Sequence, residues 1–254
     1  MIGKYIRLIL SSIAVCFSLT AFAQTDEEKV GKAAAAQVLG AAPLVTADSA
    51  QQYVNALGQV LSAQSGAIYK WRFGVIKSDA INAFAMPGGY ILLSSGLLKT
   101  LESEDELAFI LAHEVAHVAR RHHYQVVQRQ RLADQAAKGL VAVTQDRDTA
   151  KLAQASGQIY ARGLDKGAEF EADRLGTEYM TRAGYDPVAA INVLEKLQRL
   201  KGNDPRAELL FSTHPSPSER LDMLLQSGID KLPRPSGTPN PTRQARFQKF
   251  IQAI

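Results

Sequence analysis

The hydrophobic positions of this chain recur mostly at helical spacing, and strand-like patterns are confined to one short region. Residues 24–48 are interpreted as a loosely ordered lead-in with a short Ala-rich helix. A first amphipathic helix is predicted to start at Asp48 or Ser49, either of which can cap it, and to run to about residue 64. Its predicted apolar face comprises Tyr53, Leu57, Val60 and Leu61.

Strand signals follow between residues 69 and 93. Residues 69–76 alternate between apolar and polar positions, as a half-buried strand does. Residues 83–86 and 90–93 are predicted as two more strands, and the Pro-Gly-Gly sequence at 87–89 suits a tight hairpin turn between them. This region therefore predicts a small sheet ahead of a mostly helical remainder.

The helical remainder begins with a capping box formed by Ser103 and Glu106. The run after it is strongly apolar on one side, which predicts a central, buried helix. Further helices are predicted over 125–160 with an interruption near 146–148, over 168–183, from residue 187 onward, over 217–225 after a second capping box at Ser216 and Glu219, and over 242–254. The predicted fold class is α+β, mainly helical, with a small sheet or hairpin before the central helix.

The first 23 residues are interpreted as an export signal rather than as part of the fold. Lys4 and Arg7 give a positive start, residues 8–22 are largely apolar, and Ala21-Phe22-Ala23 is a small-x-small cleavage site. An uncleaved anchor facing the periplasm is the alternative, although the apolar stretch is short for a membrane span. The predicted domains are a signal peptide over 1–23, a globular domain over 24–230, and a Pro-rich linker with a terminal helix over 231–254.

Removal of this segment changes the charge and the available chemistry. The formal net charge falls from +4 to +2, because the segment contains two basic residues and no acidic one. A nearly neutral chain gives no reason to expect a nucleic acid partner. Cys16 is the only cysteine, and Val15 before it argues against lipidation. The mature chain therefore has no disulfide and no thiolate ligand, so a metal site must use histidine and carboxylate, as suits an enzyme of the periplasm.

Four of the five histidines lie between residues 113 and 123. His113 and His117 are one helical turn apart, about 40° around the axis, so both face the same side of the central helix. Two imidazoles so placed can bind one zinc ion, and Glu114 can act as general base toward water at the metal. The sequence therefore predicts a zinc-dependent hydrolase with one zinc ion per chain.

A catalytic zinc ion usually takes three protein ligands, and His123 is one candidate for the third. It follows His117 at the spacing of the H-E-x-x-H-x-x-G-x-x-H pattern, but Arg120 replaces the glycine that breaks the helix in that pattern. A continuing helix would carry His123 away from the metal, so this option is rejected. His122 and His123, with Arg120 and Arg121, are interpreted as the polar end of the helix, and a second metal site is the alternative.

Glu169 and Asp173 supply the other candidate. They are four residues apart on a predicted helix and share one face, while Glu171 points roughly to the opposite side. One carboxylate of such a pair can bind the metal while the other accepts a hydrogen bond that orients a ligand imidazole. We assign Glu169 to the metal and Asp173 to the outer hydrogen bond, with His113 as its partner.

Four motifs in this order resemble metallopeptidase family 48, which includes the heat-shock membrane protease HtpX and the CAAX prenyl proteases. The motifs are NAFAMPGGYILLSSGLL, HEVAH, EFEAD and THPSPSER, and the resemblance covers roughly residues 50–225. It implies a gluzincin-like endopeptidase in which His113, His117 and the first Glu of EFEAD hold zinc. The chain is similar to short, soluble, exported members without membrane spans or tetratricopeptide repeats. Asp165-Lys166 stands where many members have Ser-Arg.

The resemblance also implies roles for His214 and Arg220. In relatives with the last motif, the histidine approaches the metal, either as a reversible fourth ligand or to steady the oxyanion. A simple loop turn before Pro215 is the alternative. Arg220 is expected to hold the loop of His214 or to stabilise the transition state, with a solvated surface charge as the alternative. The predicted catalytic residues are Glu114, His214 and Arg220.

The predicted strand at 83–86 is a candidate binding site for substrate. An exposed edge strand beside the metal can hold an extended peptide by main-chain hydrogen bonds with little side-chain selectivity, which suits an unfolded polypeptide. Ordinary sheet core is the alternative interpretation. The predicted substrate-binding residues are Ala83, Phe84, Ala85 and Met86.

The favoured function is a periplasmic zinc metalloendopeptidase that acts in quality control on misfolded or envelope proteins. One alternative is a periplasmic chaperone or assembly factor for outer-membrane proteins with little proteolysis. Another is an exported structural domain with a vestigial motif. Expected partners are unfolded or outer-membrane polypeptides, with peripheral membrane association compatible with the sequence.

Overall fold

The computed structural model describes residues 26–132, 164–214, 216–229, 232, 234–236 and 240–254. The predicted export signal, most of the predicted helix at 125–160 and part of the predicted linker lie outside the described residues. In chain order the elements are α1 (26–41), α2 (Asp48–Ala63), β1 (Arg72–Ile76), β2 (Ala83–Met86), β3 (Tyr90–Ser94), α3 (Ser95–Leu98), α4 (Glu104–Ala119), α5 (122–132), α6 (Lys166–Arg182), α7 (Val188–Leu200), a 3₁₀ turn (Pro205–Ala207), α8 (Glu208–Thr213), α9 (Pro217–Gln226) and α10 (Pro241–Gln252). The mainly helical α+β class is confirmed.

The sheet has three strands in the order β1-β3-β2, so β3 lies in the middle. It runs parallel to β1 and antiparallel to β2, with Phe73 opposite Ile91 in one pair and Phe84 opposite Leu92 in the other. The predicted hairpin between β2 and β3 is confirmed. Its turn passes through Gly88 and Gly89, whose φ angles of +77° and +94° favour glycine.

The two faces of the sheet pack against different layers, because side chains alternate along each strand. Ile91 and Leu93 of β3 belong to the main core, which also contains residues of α2, α4, α6 and α7. Leu92 belongs to a second cluster on the opposite face, where it packs with Ala35 of α1. The predicted Ala-rich helix is confirmed as α1, but it covers the second face of the sheet, so the expectation that this segment is loosely ordered is wrong.

Three further local predictions are wrong. Asp48 is the first residue of α2 and not its cap, since Ala47 occupies the N-cap position without a side-chain hydrogen bond, and Val60 on the predicted apolar face is 49% exposed. Ser216 does not cap α9 through its side chain, because it adopts a left-handed conformation with φ of 58°. Patterns alone do not resolve these backbone angles.

Helix α4 lies at the centre of the molecule, and almost all of its residues are buried. Ser103 caps it by accepting a hydrogen bond from the Glu106 amide at 3.2 Å, as predicted. Three consecutive carboxylates in its first turn, a favourable place for negative charge, connect it to other helices. Glu104 pairs with Arg246 of α10, and Glu106 accepts a hydrogen bond from Lys196 of α7 at 2.9 Å. These contacts set the position of the helix that carries the HEVAH motif.

The Glu104 carboxylate gives a testable dependence of stability on pH. Burial raises its pKa, but hydrogen bonds from Arg246, Tyr53 and Tyr185 outweigh burial and lower it below the ordinary value of 4.5. A carboxylate with a lowered pKa in the folded state stabilises the protein above its unfolded-state pKa, and this contribution is lost as the pH falls. We expect Glu104→Gln to lower the free energy of unfolding by about 2 kcal/mol near neutral pH. In urea unfolding, this difference between the two proteins should shrink below about pH 4.5; a difference that stays constant with pH would contradict the assignment.

The terminal helix α10 packs on the body of the protein. Phe247 and Phe250 are buried, and the ring of Phe250 stacks on Tyr53 of α2 with 4.6 Å between centroids. Among the helices in the described parts of the chain, none is long and apolar enough to cross a membrane.

Candidate metal centre and active site

The site forms where α4 crosses α6, and Gly176 of α6 permits the close approach. A Cβ atom at residue 176 would lie 2.8 Å from the His113 amide nitrogen and 2.9 Å from the His113 Cα. Any side chain larger than hydrogen would push the two helices apart. The approach places the carboxylates of α6 directly beside the imidazoles of α4.

Four side chains named from the sequence converge at this crossing. Candidate ligand atoms of His113, His117, Glu169 and His214 all lie within 4.8 Å of one another, and all four residues are buried. The Nε2 atoms of His113 and His117 are 2.9 Å apart. The Glu169 carboxylate reaches both, with Oε1 3.4 Å from His117 Nε2 and Oε2 3.8 Å from His113 Nε2. Two imidazoles and a carboxylate are a donor set typical of catalytic zinc sites.

The tautomers that the neighbouring groups favour on the two histidines suit a donor set for a cation. His113 Nδ1 lies 2.9 Å from Asp173 Oδ1, and an ionised carboxylate can only accept, so the proton of neutral His113 is on Nδ1. Burial lowers the pKa of His117 well below its ordinary value, which keeps His117 neutral. The Nδ1 of His117 lies 2.9 Å from the Nδ1 of His122 and donates its proton to it, so the Nε2 of His117 is free to act as an acceptor. Two acceptor nitrogens facing each other at 2.9 Å repel unless a cation binds both.

Glu114 lies beside these ligands with unused hydrogen-bonding capacity. It is 2% exposed, and its Oε2 has no hydrogen-bond partner among the described residues. Its other oxygen lies 3.8 Å from His214 Nε2. Buried carboxylate oxygens normally have partners, so this oxygen is available to a water molecule or to substrate.

Arg220 is buried and contacts the two site carboxylates of α6. Its Nε and Nη2 donate to Asp173 at 2.8 and 2.6 Å, and its Nη1 lies 3.0 Å from Glu169 Oε2. Burial raises the pKa of Asp173, but the Arg220 charge outweighs burial and lowers it. Burial likewise raises the pKa of Glu169, yet His214 and Arg220 hold it well below its ordinary value. The surface-charge alternative is therefore wrong, because the Arg220 side chain is buried against the carboxylates of α6.

His214 lies at the C-terminal end of α8 and turns its ring into the site. Its Nδ1 is 3.1 Å from Glu169 Oε1, and the residue is 4% exposed. Burial lowers the pKa of His214, but the Glu169 carboxylate outweighs burial and raises it. The alternative of a simple loop turn is wrong, because the side chain joins the ligand cluster.

The interpretation of His122 and His123 as the polar end of α4 is wrong. Helix α4 ends at Ala119, and Arg121 adopts a φ of 60°, so the chain turns back and does not continue as one helix. His122 is 7% exposed, and the ring of His123 lies 5.4 Å from the ring of His117. Burial lowers the pKa of His123 to about 3. Among the described residues, the ligand cluster contains His214 and not His123, in agreement with the rejection of His123 as a ligand. The reason given for that rejection, a helix that continues past residue 120, is wrong.

The substrate side of the site differs from the expectation of an exposed edge strand. Strand β2 is at the edge of the sheet, but its residues are buried or half-buried. Ala83 lines a small, largely apolar cavity together with His113 and Glu114. Phe84 packs in the cluster beneath α1, on the other face of the sheet. Just before the strand, both side-chain amide atoms of Asn82 are fully buried without a hydrogen-bond partner in the described structure.

Sequence reasoning missed Asn82, Glu171 and Gly176. Glu171 lies within the EFEAD motif and contacts His122 at 3.1 Å. This contact depends on the turn at Arg121, which has no sequence signature. Gly176 follows three residues after that motif, and a glycine inside a helical pattern is the signal that could have indicated a close helix crossing.

The model of peptidase family M48 matches residues 48–227. This chain belongs to peptidase family M48. The M48 match spans the sheet, the HEVAH helix, the EFEAD helix and α9, which are the elements that build the site.

Named relatives agree with this assignment. The beta-barrel assembly-enhancing protease of Yersinia pestis is 32% identical over 212 residues, which cover 80% of this chain and 44% of that protein. The protein of the same name from Escherichia coli K12 is 32% identical over 77% of this chain and 42% of its own length. The mitochondrial metalloendopeptidase OMA1 of Schizosaccharomyces pombe is 33% identical over 66% of this chain and 50% of its own length. The chain thus spans half or less of these relatives.

The family and the site agree in their general chemistry. The chain belongs to a family of peptidases, and its buried His-His-Glu cluster suits a metal site.

The helix crossing gives a second testable prediction. Alanine is the better helix former by about 1 kcal/mol, so propensity alone would make Gly176→Ala stabilising. Because the added Cβ would meet the His113 backbone at 2.8 Å, we expect instead a loss of about 1–3 kcal/mol in the free energy of unfolding. Metal affinity should fall as well, since the histidines and Glu169 are on opposite sides of the crossing. Gly40→Ala is the control, because a Cβ there has open space in a helix; equal behaviour of the two variants in urea unfolding would contradict the prediction.

Proposed function

We propose that this M48 peptidase is an exported zinc endopeptidase of the periplasm that cleaves misfolded or envelope proteins. The observation that carries the proposal is the convergence of two imidazoles and the Glu169 carboxylate beside the unpartnered oxygen of Glu114. The positive, apolar and small-residue pattern of residues 1–23 supports export. The bacterial relatives named as beta-barrel assembly-enhancing proteases support an envelope substrate.

In the proposed mechanism, His113, His117 and Glu169 hold one zinc ion per chain. The bound ion supplies Lewis-acid chemistry that polarises a peptide carbonyl and makes water more acidic. Glu114 takes a proton from the attacking water and passes it to the leaving amine. Asp173 orients His113 through Nδ1, and Arg220 holds both carboxylates of α6 in place.

The substrate is proposed to bind as an extended chain along the edge of β2. Ala83 lines the cavity next to Glu114, so a chain bound there would lie beside the proposed general base. Recognition through the main chain favours unfolded polypeptides over particular side chains.

Metal analysis and digestion of an unfolded substrate test this function. We expect the purified mature protein to contain one zinc ion per chain and to degrade casein, to lose this activity on chelation, and to regain it when zinc is restored. Absence of zinc under metal-replete conditions would refute the proposal.

A second candidate function, a chaperone or assembly factor, is favoured by the enclosed position of the site, where His214 is 4% exposed. It requires that the wild type protect an aggregation-prone client without cleaving it. Persistence of that protection in Glu114→Gln, together with no casein cleavage by the wild type, would favour this candidate over the peptidase.

The position of His214 gives a third prediction. We propose that it acts as a fourth ligand, which closes the position that a catalytic zinc site keeps for water. His214→Ala should therefore raise the initial rate of casein cleavage while the zinc content stays at one per chain. A fall in that rate would instead assign His214 to stabilisation of the oxyanion.

A further inference from the structure

His122 lies directly behind His117, in a place that the proposed mechanism does not use. It is the first residue of α5, brought there by the left-handed turn at Arg121, and it is 7% exposed. Its Nδ1 is 2.9 Å from the Nδ1 of His117, and its Nε2 is 3.1 Å from Oε2 of Glu171. One imidazole thus bridges a side chain of α4 to a carboxylate of α6.

The Glu171 carboxylate determines the direction of both hydrogen bonds that His122 forms. An ionised Glu171 can only accept, so the proton of His122 is on Nε2. The Nδ1 of His122 is then an acceptor, and the facing Nδ1 of His117 must donate to it. This leaves the Nε2 of His117 unprotonated and directed at Glu169, 3.4 Å away. A neutral histidine that binds a metal through Nε2 needs this tautomer.

Glu171 is itself held at its other oxygen. Arg120 Nε lies 2.7 Å from Glu171 Oε1, while Oε2 receives the hydrogen bond from His122. The arginine pair is partly exposed, with 54% of the Arg120 side chain accessible, so it contributes orientation more than stability.

The hydrogen bonds behind His117 resemble those behind His113, the other histidine of the HEVAH motif. His113 Nδ1 meets Asp173 directly at 2.9 Å, whereas His117 Nδ1 reaches Glu171 through one intervening imidazole. All three acids of the EFEAD motif are therefore engaged with the two histidines of α4. Glu169 faces their inner nitrogens, and the other two acids lie behind their outer nitrogens.

We propose that His122 and Glu171 are positioning residues of the metal centre, which hold His117 in the Nδ1-protonated tautomer and present its Nε2 to the metal. This inference rests on the proposed function, in which His117 is a zinc ligand. Hydrogen-bond partners behind a ligand histidine typically change metal affinity by about 10–100-fold when they are removed.

Three variants of the full mature chain test the inference, with zinc itself as the probe. His122→Phe keeps a ring but removes the acceptor, and we expect about 10–100-fold weaker zinc binding in competition with a chromogenic chelator. His122→Asn places an amide oxygen near the former Nδ1 and should recover part of that loss. Glu171→Gln should weaken binding less than His122→Phe, because the acceptor for His117 is retained. Glu178→Gln is the control on the same helix, since this residue forms exposed ion pairs with Arg174 and Arg182, and it should bind zinc like the parent.

A spectroscopic readout separates positioning from a merely structural role. In long-range proton–nitrogen spectra of the imidazoles, the zinc-loaded parent should show a protonated Nδ1 on His117, and this signal should broaden or shift in His122→Phe. Thermal unfolding in excess chelator reports whether each variant folds without metal. Parent-like affinity of His122→Phe, or equal losses in the Phe and Asn variants, would overturn the inference while leaving the peptidase intact. If the parent itself binds no zinc, the proposed function fails first.

Discussion

Replacing Glu114 with glutamine should lower the rate of casein cleavage by about 10³-fold, because a general base of this kind contributes about 10²–10⁴-fold. The amide has nearly the same shape as the carboxylate but cannot take a proton from water at neutral pH. Glu114 is not among the four side chains that cluster as ligands, so the zinc content should stay at one per chain. The two measurements together separate loss of the base from loss of the metal.

The matched control for this variant is Glu178→Gln, which makes the same chemical change in an exposed residue of α6. It should cleave casein at the parent rate. If Glu114→Gln retains more than about a tenth of parental activity, well above what loss of a general base allows, then another group accepts the proton.

Replacing Arg220 with methionine should have the largest effect on stability. The guanidinium is the cation shared by Asp173 and Glu169, which are 2% and 0% exposed. Breaking a buried ion pair by removing one partner costs about 3–5 kcal/mol, because the remaining charge is left without compensation. We expect a loss of that size in urea unfolding of the metal-free protein. Zinc binding should also weaken, since Glu169 and the Asp173 partner of His113 lose their common anchor.

Lys166→Met provides a sharp control for the Arg220 variant. Lys166 also joins α6 to α9, through Glu219 at 2.7 Å, but both side chains are about half exposed. Exposed ion pairs contribute little to stability. The Lys166 variant should therefore unfold at the parental urea midpoint. If Arg220→Met also unfolds at the parental midpoint, another group compensates the buried charges of Asp173 and Glu169, and the prediction is wrong.

Several features of the site could be predicted from sequence because they depend on positions within one helix. His113 and His117 share a face of α4 whatever else the protein does, and Ser103 caps that helix through a residue three positions away. Glu169 and Asp173 share a face of α6 for the same reason. The capping and the convergence of the named histidines and Glu169 agree with the structure.

Features that depend on one backbone angle were not predictable. Arg121 adopts a φ of 60°, which is uncommon for a residue other than glycine and has no pattern in the flanking sequence. That angle ends α4, turns the chain back and places His122 against His117. The expectation of a continuing helix, which made His122 and His123 a polar helix end, was wrong for this reason.

By itself, the sequence determined the chemistry of this M48 peptidase: which residues can bind a metal, which carboxylate can act as a base, and which helices carry them. Only the tertiary structure decided how those helices meet. Arg220 contacts Asp173, which lies 47 residues earlier in the sequence. Gly176 lies so close to the His113 backbone that a Cβ atom at residue 176 would be 2.8 Å from the His113 amide nitrogen. Such contacts depend on how whole helices pack, and packing depends on many weak interactions at once. A periodic pattern specifies a face, but it does not specify what lies opposite that face.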